Sequence, residues 1–378
     1  MKILLYTDLS VSPDHLFWHR DLGLLTKAFR DLGHDAYLVV HHATEPLPLP
    51  TSAASNIKHS TSKVLDEPVL WPSPSQVRDM QWWQSQKPDL VILGLWTRPK
   101  YDPVRRAALS ATPHVIERAD SDGMRTASCG LLTYAKRRFD YFRDRTYQWP
   151  SSLSIPASIF YTFASILATP WIETRLARTL KLLPAVAVET PHATALWKSL
   201  ATHLGADPEK IHCVPHPIQT DIFKFDPAIQ KKNQIISVGR WNSYQKNLPL
   251  LLKTLRTFLD KSPTWSSLVI GSGLPARSPH TRITFLPPTD PTQLARHMQE
   301  SKFFLFSSRY ESFGLAAAEA HACGCSTLGP KSLLDFISST KYSLNSFFIY
   351  NTYPCFKAVH GVHGFDPRHI AENFLNLI

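Results

Sequence analysis

Two glutamates eight residues apart, Glu311 and Glu319, flank the step Phe313, Gly314, Leu315 in the stretch Arg309-Tyr-Glu-Ser-Phe-Gly-Leu-Ala-Ala-Ala-Glu-Ala-His-Ala-Cys-Gly324. The apolar run 303–306 before it reads as a buried strand, and the alanine-rich run after it reads as a helix. Glu311 then falls in the connecting loop and Glu319 inside the helix. A helix that begins near Gly314 directs the backbone N–H groups of Phe313, Gly314 and Leu315 into the loop. Such unpaired donors, with the helix dipole behind them, suit a phosphate. Gly314 allows a ligand to come close to the backbone. Upstream, Gly239, Arg240 and Lys246 follow a strand expected at 234–238. Two cations in one strand-to-helix loop can neutralise a diphosphate, Arg as a fork and Lys as a point charge. A carboxylate on either side of such a site fits an elongated ligand with a diphosphate in its middle, the shape of a nucleotide-sugar. The plain alternative is a core helix with solvated glutamates and an ordinary solvated basic loop.

The elements that must carry these residues are legible along the chain. Residues 3–6 form a continuous apolar run suited to a buried parallel strand. Leu22, Leu25, Phe29 and Leu32 recur at helical spacing, and Gly33 sits where a helix ends. A second strand follows at 36–40, so the chain opens as a βαβ unit of a doubly wound domain, with ligands expected at strand carboxyl ends. Further strands are predicted at 90–95, 114–118, 185–189, 268–270 and 284–286, and a basic helix at 98–110. Residues 44–75 are rich in Pro and Ser, show no periodicity and read as a long loop. The polar segment 224–233 reads as an interdomain linker. Asn247 is placed to cap a helix whose apolar face is Leu248, Leu251, Leu252, Leu255 and Leu259. Gly271-Ser-Gly273 closes a strand as a tight turn. Asp120 and Asp122 end another strand as candidates for binding a hydroxyl, although Asp-Ser-Asp-Gly is also ordinary turn chemistry.

The totals bound the class. A chain of 378 residues, 43% hydrophobic and 19% charged, is long enough for two globular domains. The formal charge of +11 points to an acidic partner: a nucleotide diphosphate, an anionic lipid surface or a nucleic acid. Five cysteines without metal spacing read as packing residues in a reducing compartment. The first apolar run is too short for a signal peptide, so a cytoplasmic location is expected. Lys136, Arg137, Arg138, Arg143 and Arg145 form a basic cluster interleaved with aromatics, and an uncharged run, 146–172, follows. Pro150, Pro156 and Pro170 cut that run, which leaves a longest piece of 13 residues, 157–169. At ~20 Å as a helix it falls short of the ~30 Å hydrocarbon core. The segment fits either a helix buried on the first domain or peripheral docking on the inner face of an anionic membrane.

Glu-x-Phe-Gly-Leu followed by Glu-Ala, with Gly-Arg-x(5)-Lys ahead of it, resembles the E-x7-E signature of the retaining glycosyltransferases of family four. The resemblance runs well from about 234 to 330, partly from 1 to 222, and poorly beyond 331. It implies an α/β protein of GT-B fold, two Rossmann-like doubly wound domains facing a cleft, with the C-terminal helix free to cross back to the first. The expected boundaries are 1–222 for the acceptor-side domain, 223–233 for the linker, 234–363 for the nucleotide-sugar domain and 364–378 for the terminal helix. By resemblance, Arg240 and Lys246 contact the donor diphosphate. Glu311 binds donor-sugar hydroxyls, Glu319 binds the ribose, and the Gly271–Gly273 turn lies near the base. The acceptor would be a hydroxyl of a saccharide or lipid-linked saccharide, in polysaccharide or glycolipid synthesis, with no metal required. Departures are a missing Gly-Gly pair at 9–15, Ala119 where a histidine is usual, and an atypical tail. These keep a catalytically inactive GT-B-like protein open. A basic nucleic-acid-binding protein is the reading from another class, without a recognisable binding module to support it.

Overall fold

The computed structural model describes residues 1–8, 21–40, 68–95, 97–119, 123–311, 313–329 and 365–378. Asp120 and Asp122, the loop 9–15, the segment 44–67 and the tail 331–363 lie outside the described residues.

The described chain forms two compact units. One comprises Met1–Gly123, Ile172–Ile218 and Phe365–Ile378; the other comprises Met124–Trp171 and Gln219–Gly364. Each contains a parallel sheet. In the first, β1 (Lys2–Thr7), β2 (Asp35–Val39), β3 (Val69–Leu70), β4 (Leu90–Gly94), β5 (Val115–Ala119), β6 (Ala185–Val188) and β7 (Ile211–Cys213) lie in the order β3-β2-β1-β4-β5-β6-β7. Strands buried on both faces need continuous apolar runs, which is what Ile3, Leu4, Leu5 and Tyr6 supply. Helix α1 (Asp21–Asp31) lays Leu22, Leu25 and Phe29 on the sheet and ends at Gly33, whose φ is +85°. The terminal helix, Pro367–Leu375, returns to this unit and adds Ile370, Ala371 and Phe374 to the same core. Burial of Ile370 and of Phe374 contributes about 1.5–3 kcal/mol each.

Three local expectations differ from what is found. Strand β3 interrupts the predicted loop 44–75; with two residues it is too short to carry a period. The predicted basic helix at 98–110 is a 3₁₀ turn, Pro99–Tyr101, followed by α3 (Asp102–Leu109), after α2 (Met80–Gln86). Its Arg105 is wholly buried rather than solvated, with Nε 2.5 Å from Glu117 Oε2 and Nη1 2.7 Å from Asp102 Oδ1. Burial works against the Arg105 charge, but Glu117 and Asp102 outweigh it and raise its pKa. Removing one partner of such a pair strands the other charge. We therefore expect Arg105→Ala to cost about 3–5 kcal/mol in a chemical-denaturation curve.

The third difference concerns 124–171, which precedes the expected linker yet packs with the second unit. It holds α4 (Leu131–Arg145) and α5 (Ser151–Leu167). Helix α5 runs through Pro156, where a break is expected. The carbonyl that Pro156 leaves unpaired is that of Ser152, which is exposed and so open to water. Helices α6 (Thr169–Leu182) and α7 (Pro191–His203) follow.

In the second unit, β8 (Lys232–Arg240), β9 (Ser266–Ser272), β10 (Ile283–Leu286), β11 (Ser301–Leu305) and β12 (Ser326–Leu328) lie in the order β10-β9-β8-β11-β12. Helix α8 (Leu248–Lys261) buries Leu248, Leu251, Leu255 and Leu259 as expected, and α9 (Pro291–Glu300) is capped by the Asp290 carboxylate. Asn247 holds the cap position of α8 in a left-handed conformation, φ 54°, but its side chain does not cap the helix. It accepts instead from Arg309 Nη2 at 3.1 Å. Lys231, within the expected linker, donates to the carbonyls of Ser301 (2.8 Å), Cys323 and Gln299 (both 3.1 Å). Its ammonium satisfies carbonyls at the ends of two helices, and burial lowers its pKa. Cys323 and Cys325 are buried, which pushes their thiols up to about 12 and about 11. They are packing residues and poor nucleophiles.

Candidate functional site

The strand order of the second unit points to a candidate site. The chain leaves β8 toward β9 on one side and later places β11 on the other, so the carboxyl ends of β8 and β11 form a topological switch point. Ligands of open α/β sheets bind at such points, because the two outgoing loops part there and leave a crevice. The loop after β8 carries Arg240 and Lys246. The loop after β11 carries Glu311 and Gly314 and leads into α10 (Leu315–Ala322).

These two loops are tied together by hydrogen bonds. Arg309 N donates to Gln245 O at 2.8 Å, and Ser307 Oγ donates to Lys246 O at 2.7 Å. Gln245 Nε2 donates to Tyr310 O at 2.9 Å. Lys246 Nζ reaches Glu311 Oε1 at 2.5 Å, both side chains being largely shielded from water. A charge-assisted bond of that length fixes both groups where the loops meet. Arg240 ends β8 beside Ser272, exposed, and its side chain makes no hydrogen bond or ion pair with another described residue.

Gly314 is the cap residue of α10, with φ +84°, and its carbonyl accepts from the amides of Ala317 and Ala318. The helix starts at Leu315, directly after its Gly314 cap, where it is expected. The amides of Leu315 and Ala316 therefore have no acceptor among the described residues and face out of the first turn. Ala316 is a donor that sequence reading missed. Phe313 turns its ring into the core. Glu319 lies half-buried in the second turn of α10.

Gly239, Gly271 and Gly273 act through the backbone. Gly239 pairs with Gly271 in the parallel register, and the Trp241 indole donates to Ile270 O at 3.0 Å. A Cβ on Gly271 would lie 1.8 Å from Gly239 O, and one on Gly273 would lie 2.5 Å from Asn242 N. Both residues have positive φ. They let the 271–273 turn press against the start of the Arg240 loop.

Helix α4 braces the same loop, which sequence reading did not foresee. Asp144 Oδ1 accepts from Ser243 Oγ at 2.6 Å and from Gln245 N at 3.0 Å. Arg137 lies 3.8 Å over the Tyr310 ring, and Arg143 and Arg309 both lie over Tyr244. Burial raises the Tyr310 phenol above its ordinary pKa. The contacts from α4 each span roughly a hundred residues or more of chain, so no local pattern announces them. If Asp144 holds Lys246 in place, Asp144→Ala raises the KM for a sugar donor about tenfold, from the loss of two bonds to a charged acceptor. Steady-state kinetics with far-UV circular dichroism as the folding control checks this.

Residues 219–329 match the sequence profile of the glycosyl transferases group 1. A GDP-mannose:cellobiosyl-diphosphopolyprenol alpha-mannosyltransferase of Xanthomonas campestris is 25% identical over 187 residues, 46% of this chain and 48% of that protein. A D-inositol 3-phosphate glycosyltransferase of Jonesia denitrificans is 31% identical over 155 residues, 33% of this chain and 36% of that protein. The chain thus matches about half, or less, of the length of these curated relatives. Among solved structures, Anabaena Alr3699/HepE in complex with UDP and glucose superposes with a TM-score of 0.57 at 12% identity, covering 100% of this chain and 98% of that one. The alpha,alpha-trehalose 6-phosphate synthase of Burkholderia multivorans superposes at 0.56 and 10% identity, covering 99% and 97%. The chain has the α/β architecture of two Rossmann-like domains found in GT-B glycosyltransferases, and its segment 219–329 is similar in sequence to the group 1 glycosyl transferases.

Proposed function

We propose that the protein is a retaining glycosyltransferase of the E-x7-E kind, which moves a sugar from a nucleotide-diphosphate sugar to a hydroxyl acceptor. The observation that carries the reading is the Lys246–Glu311 contact at the β8/β11 switch point, next to the first turn of α10. The diphosphate lies against the amides of Leu315 and Ala316, and Lys246 and Arg240 supply positive charge. As the bond from the anomeric carbon to the phosphate oxygen breaks, negative charge grows on the leaving diphosphate. Donors already in place stabilise it without reorganisation, typically by about 3 kcal/mol each. Glu311, oriented by Lys246 and Gln245, binds the sugar hydroxyls. Glu319 accepts from the ribose hydroxyls. The acceptor attacks from the face the diphosphate leaves, so configuration is retained.

Lys and Arg take the part a divalent cation would otherwise play, so transfer is expected to survive a chelator. The acceptor class we favour is a saccharide or lipid-linked saccharide, in line with the diphosphopolyprenol named in the Xanthomonas relative. The unit carrying 234–329 holds the donor.

A thermal-shift panel of nucleotide-sugars tests the reading. A bound donor raises the apparent Tm by mass action, and a ligand at 100 times its Kd adds about 2.7 kcal/mol. A rise with UDP- or GDP-sugars that Arg240→Ala abolishes supports the assignment. An unchanged Tm with every donor contradicts it.

A further inference from the structure

Helix α5 is inside-out. Its inward stripe is Ser154, Ser158, Thr162 and Ser165, and its outward stripe is Leu153, Ile159, Phe160, Phe163 and Leu167. Ser154 and Ser158 are wholly buried, whereas Phe160 and Leu167 are each 68% exposed. Helices packed on a soluble core show the reverse pattern. The polar stripe is fully used. Ser154 Oγ meets Thr146 Oγ1 at 2.7 Å and accepts from Arg143, Ser158 donates to Ser154 O, Thr162 donates to Ser158 O, and Arg138 Nε donates to Ser165 Oγ at 3.2 Å. Phe142 stacks on Tyr161 with ring centroids 5.0 Å apart. The bonds from Arg138, Arg143 and Thr146, with the Phe142–Tyr161 stack, fix which side of α5 meets α4, so the apolar side has no other orientation available within this unit.

We propose that this face lies in the surface of an anionic lipid bilayer. Helix α5 has no charged residue, yet it packs on α4, which carries Lys136, Arg137, Arg138, Arg143 and Arg145 against Asp140 and Asp144. Of those two acids, Asp144 is engaged with Ser243 and Gln245, and Asp140 is buried with its carboxyl pKa raised by that burial. A net positive helix backing an uncharged apolar one matches a surface that is apolar below and negatively charged above. Trp149 and Trp171, 53% and 62% exposed, stand just outside the two ends of α5. Indoles favour the headgroup level, where one edge is wet and the other apolar. The helix lies in the surface rather than crossing it. Among the described residues no single helix is long and apolar enough to span, and α5 with α6 could do so only as a bent pair. Helix α6 carries Glu173, Arg175, Arg178 and Lys181 and buries Leu176 and Leu180. A second copy of the chain is the competing occupant. A two-fold contact there would set two basic α4 helices against each other.

Flotation of the purified full chain with phosphatidylcholine vesicles, with and without phosphatidylglycerol, tests the proposal. The wild type should float with the phosphatidylglycerol vesicles, and high salt should weaken that binding. The triple variant Phe160→Ser, Phe163→Ser, Leu167→Ser should bind at least about tenfold less. Because these residues are exposed, its circular dichroism and nucleotide binding should match the wild type. A wild type that remains unbound with both vesicles overturns the proposal, as does a triple variant that floats equally well. A dimer in sedimentation that the triple variant abolishes, without vesicle binding, also overturns it and assigns the face to self-association.

Discussion

Replacing Lys246 with Met is expected to lower sugar transfer by about 10²–10³-fold at saturating donor, the usual consequence of losing one preorganised donor to a developing anion. Met is the informative replacement. A Cβ on Gly239 would lie 3.6 Å from Lys246 Cδ, so the lysine stem packs over the glycine backbone and Met keeps that packing. What is lost is the ammonium, and with it the bond to Glu311. Among the described residues Glu311 then retains the long contact of 3.4 Å from Gln245 Nε2. The carboxylate then loses both its charge partner and its orientation, which bears on sugar positioning as well as on the leaving group. Because the pair is largely shielded and Glu311 loses its charge partner, the stability cost is expected to be about 1–3 kcal/mol. Rates measured beside a denaturation curve separate that cost from the catalytic loss. A folded Lys246→Met protein that transfers sugar at the wild-type rate would remove Lys246 from the mechanism.

The second large effect is expected from Gly271→Ala. The added methyl would lie 1.8 Å from Gly239 O, a backbone atom held by the β8/β9 register, and the residue itself has φ +141°. No side-chain rotation relieves that collision, so β8 and β9 must part at their carboxyl ends. Strain of this kind costs at least about 1–3 kcal/mol, before the Trp241 indole bond to Ile270 O is counted. A Tm several degrees below the wild type and a loss of nucleotide binding should appear together, since the displaced turn abuts Arg240. Gly314→Ala is the useful contrast. A Cβ there meets nothing closer than Ala317 Cβ at 3.8 Å, so only the strained φ penalises it. Its effect on Tm should be the smaller of the two.

The sequence made the donor-side elements legible because they rest on short-range rules. Apolar runs marked β1, β4, β8 and β11, helical spacing marked α1 and α8, and an alanine-rich run with Gly314 at its head marked α10. The βαβ opening already implied a doubly wound sheet, and the switch point follows once the order of β8, β9 and β11 is known. What stayed hidden depends on contacts distant in sequence. Asp144 reads as one of two acids on a basic helix until Ser243 and Gln245 come to it. Arg105 reads as a surface cation until Glu117 meets it in the interior. Asn247 carries the side chain of a helix cap but spends it on Arg309. Lys231 reads as linker although it gathers carbonyls from two helix ends. The orientation of α5 was equally unreadable, since an uncharged run with scattered serines does not reveal which stripe faces inward.

Isothermal titration of UDP and of GDP into the wild type and the double variant Arg240→Ala, Lys246→Met tests the phosphate site itself, free of any assumption about sugar or acceptor. The wild type is predicted to bind at least one of the two, and the double variant to bind it at least about 100-fold more weakly, a loss of roughly 2.7 kcal/mol. Equal affinity for both proteins, or no heat from either nucleotide with the wild type, would contradict the account.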